Sequence, residues 1–199
     1  MSSNYKIPIL LIEDNPGDAH LIEMYMKDSS VKHEFYHAES FFDGADLLNN
    51  QEISLVLLDL SLPDSNGFKT LTSFLDKFPN TPVIVLTGLN NEIIGNQAVK
   101  AGAQDFLVKG QFDGKLLGRS IRYSIQRFKT QVKLEETARN LAISEKRYVE
   151  AQEMAHFGNW EMDIVSNEMK WTDEIYRIFG FNPNSIAPTL SDNINYTHH

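Results

Sequence analysis

The sequence predicts a doubly wound α/β domain built on a parallel sheet. Two observations carry this. Five short apolar runs alternate with helical patterns over the first 110 of the 199 residues, the order that produces a parallel sheet with crossover helices. Three of the runs are nearly continuous Ile, Leu and Val, as expected of strands buried on both faces. Right-handed crossovers then place the helices on both sides of the sheet.

The runs are Ile7–Ile12, Glu34–Ala38, Leu55–Asp59, Val83–Thr87 and Asp105–Lys109. The first helix is expected to open with Asn15 as its N-cap and Pro16 at the first helical position, with Leu21, Ile22, Met24, Tyr25 and Met26 on its apolar side. Further helical patterns cover about 41–49, 67–78, 91–101 and from 113 onward.

The last of these does not stop. From Leu116 to about Ala155 there is no proline, and Gly118 is the only glycine. Ile121, Ile125, Phe128 and Val132 make one apolar stripe, and Leu134, Ala138, Leu141 and Tyr148 make a second. The offset between them reads as a stutter in a heptad pattern. A soluble helix of this length is poorly stabilised by propensity alone. The stripe therefore predicts a partner, most simply the same helix of a second chain; the alternative is a helix folded back on its own domain.

After Gly158 the pattern becomes a hairpin, GNWEMDIV and NEMKW, with Ser166 and Asn167 as the turn. DEIYRIFGF follows as a short helix closed by Gly180. His198 and His199 are set aside as possible tag residues. The expected organisation is a core domain over 1–114, an extended helix or coiled-coil linker over 115–155, and a further segment over 156–199.

Composition narrows the function. The net charge is −9, distributed as −9 over 1–114 (7 basic, 16 acidic), +5 over 115–150 (9 basic, 4 acidic) and −5 over 151–199 (2 basic, 7 acidic). An acidic body with one basic stretch is not the sustained basic face of a nucleic-acid binder; the stretch reads as a solvated helix face. With no cysteine, disulfide scaffolds, Cys-ligated metals and thiol catalysis are excluded. No apolar run reaches the roughly 18 residues of a membrane span, and no signal peptide is recognised. The expected setting is cytoplasmic.

In an open parallel sheet, ligands bind beyond the carboxyl ends of the strands. The first run leads into Glu13 and Asp14, the third ends in Asp59, the fourth in Thr87 and the fifth in Lys109. Three clustered carboxylates repel one another unless a cation intervenes. Mg2+ suits them, because it takes one or two carboxylates, keeps several waters and accepts a phosphate oxygen. Asp59 is then the candidate nucleophile for an aspartyl-phosphate. Lys109 would meet one phosphoryl oxygen as a point charge and Thr87 would donate to another.

The segments ILLIEDN, LVLLDLSLPDSNG, VIVLTG and DFLVKG resemble the motifs of a two-component response-regulator receiver domain over about residues 5–128. The resemblance implies the flavodoxin-like strand order 2-1-3-4-5. It implies that Asp59 accepts a phosphoryl group from a phosphohistidine of a sensor histidine kinase or a histidine phosphotransfer protein. It adds the backbone carbonyl of Ser61 to Glu13, Asp14 and Asp59 as a Mg2+ ligand, and makes Thr87 and Phe106 a switch pair. Two positions depart from the family pattern. Gly110 follows Lys109 where the family usually has proline, which predicts an ordinary trans peptide there. The switch aromatic is Phe106 rather than tyrosine, so it has no hydroxyl to contribute.

The run EKRYVEAQEMAHFGNWEMDIVSNEMKWTDEIYRIFGF resembles the opening of a PAS sensor domain, an α+β fold with about twice the residues that remain here. The chain is therefore read as a fragment of a longer protein, with Trp160 and Trp171 as core aromatics and a haem-ligand role for His156 disfavoured.

The expected function is a phosphoacceptor signalling module rather than an enzyme, switching a conformation that passes along the long helix of a homodimer toward the PAS region. One alternative is the N-terminal fragment of a hybrid sensor kinase whose catalytic domain lies beyond this chain. A second is an aspartyl-nucleophile phosphohydrolase, which Ser61 argues against, since such enzymes usually carry a second acid two residues past the nucleophile. A third is a ligand-binding sensor on an inert receiver-like scaffold; the full acid set and Lys109 oppose inertness, and the truncated PAS segment opposes sensing. Ser61 and Leu89 are expected to influence phosphate lifetime.

Overall fold

The computed structural model describes residues 6–88, 92–155, 157–166, 168–186 and 188. Leu89, His156, Asn167, His198 and His199 lie outside them. The chain divides into two compact units, 1–133 and 134–199.

The first unit holds a five-stranded parallel sheet. Its strands are β1 (Ile7–Ile12), β2 (His33–Ala38), β3 (Leu55–Asp59), β4 (Val83–Thr87) and β5 (Asp105–Val108), in spatial order β2-β1-β3-β4-β5. This is the expected 2-1-3-4-5 order. The helices are α1 (Pro16–Asp28), α2 (Phe41–Asn50), α3 (Phe68–Lys77), α4 (Glu92–Ala101) and α5 (Gly114–Ala155).

Period-two alternation of the strands feeds two separate cores. Ile9, Leu11, Leu55, Leu57, Ile84 and Leu86 meet Ala19, Ile22 and Met26 of α1 and Leu117 and Ile121 of α5. Leu10, Ile12, Val56, Leu58, Val83 and Val85 meet Leu71 and Phe74 of α3 and Ala98 of α4, with Leu47 and Leu48 of α2 packed alongside. Both faces are covered, so β3 and β4 are buried at every residue. That is why these runs are apolar throughout rather than alternating.

Local chemistry sets the helix starts. The Asn15 side chain accepts from Gly17 N at 2.9 Å and Asp18 N at 3.3 Å, with Pro16 at the first helical position as expected. The α2 N-terminus is capped by Ser40 and also from a distance. The Asp64 carboxylate accepts from Phe41 N at 2.9 Å and Phe42 N at 2.8 Å.

The long helix corrects one expectation. Ile121 is fully buried in the sheet core and Ile125 packs against it. The first apolar stripe is therefore covered by its own domain at Ile121 and Ile125, while Val132 at its far end is exposed. Close approach is what makes this possible. A Cβ on Gly114 would lie 2.5 Å from the Tyr25 carbonyl, and one on Gly118 would lie 3.0 Å from the Ser29 Cβ. The second stripe differs: Leu134, Leu141 and Tyr148 are exposed.

In the second unit, β6 (Trp160–Met162) pairs antiparallel with β7 (Met169–Trp171), followed by α6 (Asp173–Ile178). The hairpin is shorter than expected and its turn wider. Asp163 N bonds the Glu168 carbonyl at 2.9 Å, while the Asp163 carboxylate accepts from Val165 N and Ser166 N. The reversal is thus an aspartate-anchored loop starting at Asp163, not a tight turn at Ser166. Gly180 closes α6 with φ 80°, and Gly180 N and Phe181 N bond back to Arg177 O and Tyr176 O. Met169, Trp171, Ile175 and Tyr176 form the small core. Trp171 is a core residue as expected, but Trp160 is 47% exposed and is not.

Gly95 interrupts α4 for a packing reason. A Cβ there would clash with the Phe106 ring. Replacing glycine by alanine in a helix interior gains up to about 1 kcal/mol, whereas overpacking costs about 1–3 kcal/mol. Gly95→Ala should therefore lower stability in urea unfolding, and in a Phe106→Ala background the same change should raise it.

Candidate functional site

The sheet register builds the site. Ile12 pairs with Leu58, Asp59 with Leu86, and Thr87 with Val108. Glu13, Asp59, Thr87 and Lys109 are therefore brought to one end of the sheet by consecutive parallel pairings. Lys109 N bonds the Thr87 carbonyl at 2.7 Å, extending the ladder one step.

One oxygen each from Glu13, Asp14 and Asp59 lie within 4.8 Å of one another. Glu13 is fully buried, Asp59 is buried and Asp14 is exposed. Lys109 Nζ reaches Glu13 Oε2 at 2.6 Å, Asp18 Oδ2 at 2.9 Å and Asp59 Oδ2 at 3.0 Å. Thr87 Oγ1 is buried and without a hydrogen-bond partner among the described residues. The site thus combines an acid cluster, one ammonium and one free hydroxyl.

Surrounding groups hold it. Asn15 N donates to Glu13 Oε1 at 3.2 Å, and His37 Nε2 meets the Glu13 carbonyl at 2.8 Å. Beyond Asp59, the Leu60 carbonyl accepts from Gly67 N at 2.7 Å and from Thr70 Oγ1 at 3.2 Å. Ser61 stands in a two-residue ribbon, Ser61–Leu62 against Ser65–Asn66, and its side chain is exposed. Phe106 is half-buried against the core shared by α3 and α4. The Lys109–Gly110 peptide is trans, with Gly110 at φ 79°, a backbone conformation that favours glycine.

Three contributors were not singled out from sequence. Asp18 is the third position of α1, and its role needed a lysine 91 residues away. An acid in the first turn of a helix facing the strand ends was the available signal, but a dipole-favoured acid there is commonplace. His37 and Asp64 act through long-range backbone contacts that leave no local pattern.

Electrostatics follow from this packing. Burial pushes the Glu13 carboxyl above its ordinary range, the hydrogen bond from Lys109 pulls it back, neighbouring Asp59 pushes it up again, and the net shift is upward. Burial disfavours the Lys109 charge, but the bonds to Glu13 and Asp18 and the field of Asp59 outweigh it and raise Lys109 above an ordinary lysine. The donors are all oxygens, one of them on an exposed residue. This is the set a hard divalent cation such as Mg2+ takes, with room for water.

Because folded Glu13 binds its proton more tightly than unfolded Glu13, its contribution to stability is full below the ordinary value of 4.5 and is lost as pH rises through the folded value. In a chelator, wild type should lose stability relative to Glu13→Gln as pH rises from there toward neutrality. Excess Mg2+ should reverse that trend by favouring the ionised carboxylate. Thermal melts of both proteins across pH, with and without the cation, check this.

Comparison with known proteins agrees with this architecture. Residues 9–120 match the family described as the response regulator receiver domain. The cell cycle transcriptional regulator CtrA of Caulobacter vibrioides is 30% identical over 111 residues, covering 56% of this chain and 47% of CtrA. The chain thus spans about half the length of the curated relatives it matches. A signal receiver domain from Vibrio parahaemolyticus superposes with a TM-score of 0.56 at 27% identity, covering 66% of this chain and 98% of that one. NtrX from Brucella abortus gives a TM-score of 0.58 at 22% identity, covering 67% and 30%, a likeness of fold.

Proposed function

The chain belongs to the response regulator receiver domain family, and on that premise we propose that it is the phosphoacceptor module of a two-component phosphorelay, with Asp59 taking a phosphoryl group from a phosphohistidine of a sensor histidine kinase or a histidine phosphotransfer protein. Receiver domains accept phosphate and act as switches rather than turning over a substrate. The observation that supports this reading best is the conjunction at Asp59. Its carboxylate lies in the acid cluster, bonds Lys109 at 3.0 Å and shares the strand ends with the unpartnered Thr87 hydroxyl.

In the proposed reaction an Asp59 carboxylate oxygen attacks phosphorus, the P–N bond breaks and the partner imidazole leaves. Glu13, Asp14, Asp59 and the Ser61 backbone carbonyl would hold Mg2+, which neutralises charge on the transferring oxygens when bound. Lys109 turns one N–H to a phosphoryl oxygen. Thr87 donates its hydroxyl to another, which satisfies a buried group that otherwise bears the penalty of an unmade hydrogen bond. Thr87 and Phe106 then act as the switch pair. The proposed organisation is a receiver core over 1–114, a linker helix over 115–155 and the opening of a PAS sensor domain over 156–199, in a cytoplasmic protein. Among the described residues no helix is long and apolar enough to cross a membrane.

With acetyl phosphate and Mg2+, the intact chain should gain the mass of one phosphoryl group. Asp59→Asn should gain none, and omission of the cation should abolish the gain in wild type.

The exposed second stripe supports a homodimer through α5. Leu134, Leu141 and Tyr148 recur at seven-residue spacing and are 69%, 59% and 56% exposed. Light scattering should find wild type dimeric, and Leu141→Asp combined with Tyr148→Asp should shift it to monomer while leaving phosphorylation by acetyl phosphate intact.

A further inference from the structure

Lys109 has three ammonium protons and no capacity to accept. Each of its three carboxylate partners, Glu13, Asp18 and Asp59, lies at bonding distance. These partners are not equivalent. Glu13 and Asp59 belong to the acid cluster, together with Asp14, and Asp18 does not. A bound cation would claim Glu13 and Asp59, and phosphorylation would convert the Asp59 carboxylate into an acyl phosphate. Both events take electron density away from the lysine. Asp18 is the one partner that neither event touches.

Asp18 is also rigidly placed. Its N–H donates to the Asn15 cap at 3.3 Å, and Ala19, Ile22 and Met26 lock α1 onto the sheet. On its far side the lysine's backbone enters a turn closed by Gln111 N on the Val108 carbonyl at 3.0 Å, with open space around it. Gly110 follows it at φ 79°, with no neighbouring atom within 4 Å of where a Cβ would stand. A residue with a ring-locked φ would have restrained this position covalently; glycine leaves the restraint to side-chain contacts. The Lys109 side chain is 19% exposed and the Asp18 side chain 38%, so the pair is partly screened from water and keeps more of its attraction than a surface pair.

We propose that Asp18 is a positioning residue for phosphoryl transfer, tethering the Lys109 ammonium over the Asp59 carboxylate while the cation and the phosphoryl group claim its other two partners. The proposal rests on the phosphoacceptor reading of Asp59. Without the tether, Lys109 samples positions away from the transferring oxygens, and misplacement of a charge-stabilising group slows the transfer.

The test is a double-mutant cycle on the intact chain, reading the initial rate of phosphorylation by acetyl phosphate at saturating Mg2+. Asp18→Ala should slow phosphorylation by up to about a hundredfold, the order expected for a displaced catalytic group. Lys109→Ala should slow it further. The double variant should be no slower than Lys109→Ala, because Asp18 acts only through the lysine. Asp18→Asn, nearly isosteric, serves if the alanine variant does not fold, and should fall between wild type and the expected Asp18→Ala rate. The Mg2+ concentration giving half-maximal rate should stay close to wild type in both Asp18 variants.

Wild-type rates in the Asp18 variants would overturn the tether. So would losses that multiply independently in the double variant. A collapse of Mg2+ affinity on losing Asp18 would make it part of the cation site and overturn the proposal as well. Failure of the wild type itself to accept phosphate would overturn both this inference and the phosphoacceptor reading. A wild type that is phosphorylated, a Lys109 variant that is slow and an Asp18 variant that is fast would overturn the tether alone.

Discussion

The structure at the strand ends depends on one half-buried ammonium among carboxylates. Glu13 is entirely shielded from solvent and Asp59 nearly so, and two such groups at close range cannot both stay ionised without compensation. Lys109 supplies it, touching both at 3.0 Å or less. Breaking a buried ion pair by removing one partner typically costs about 3–5 kcal/mol, because the other charge is left uncompensated. The compensation is deliberately incomplete in the chemical sense. Three carboxylates, Glu13, Asp18 and Asp59, meet one lysine while Asp14 stands with two of them in the acid cluster, and the excess negative charge suits a divalent cation. A neutral, self-satisfied network would have no such appetite.

The sheet makes this cluster possible at little local cost. Glu13, Asp59 and Thr87 sit at or just past the ends of strands whose preceding residues are apolar and, over their last four or five positions, buried. Strand burial fixes the register, since a one-residue slip would exchange the two cores. Register then fixes which polar side chains converge. The same logic explains why Thr87 carries a buried hydroxyl with no partner: its position is dictated by β4, not by a local hydrogen-bond demand.

This dependence also explains what could be read in the sequence. Three of the five strands were legible because burial on both faces writes itself as nearly unbroken Ile, Leu and Val, and the polar residues at or just past their ends were legible as site members for the same reason. Asn15 and Pro16 announced the α1 start because capping is local. Asp18 could not be recognised, because its meaning lies in Lys109, and separation in sequence hides the pairing. The hairpin is shorter than its alternation suggests because the Asp163 carboxylate accepts from N–H groups two and three residues ahead, which opens a wide loop before β7. Trp160 was expected in a core from its residue type alone, whereas the face it presents is decided by the short strand it occupies. The first apolar stripe of α5 was ambiguous between a domain face and a dimer face. Small residues at 114 and 118 mark the side that approaches α1, and they were the local clue in favour of the domain.

Strand β5 ties these features together. Within a few residues it carries Asp105, which accepts a bond from Ser120 of α5 at 2.5 Å, Phe106, which lies over Gly95 of α4, and, just beyond its end, Lys109 in the acid cluster. Close-packed interiors do not deform continuously. A change in the position of Lys109 therefore bears on the backbone that also sets Phe106 and Asp105, and through them on α4 and α5. Arg127 adds a second tie, with its Nε bonded to Gln104 immediately before β5 at 3.2 Å. The helix so anchored continues unbroken to Ala155. The acid cluster, the Phe106 seat and the anchorage of the long helix thus meet at a single four-residue strand. Physical coupling of this kind requires two discrete arrangements of such an element rather than mere proximity, and the Phe106 seat over Gly95 is one arrangement with a defined steric boundary.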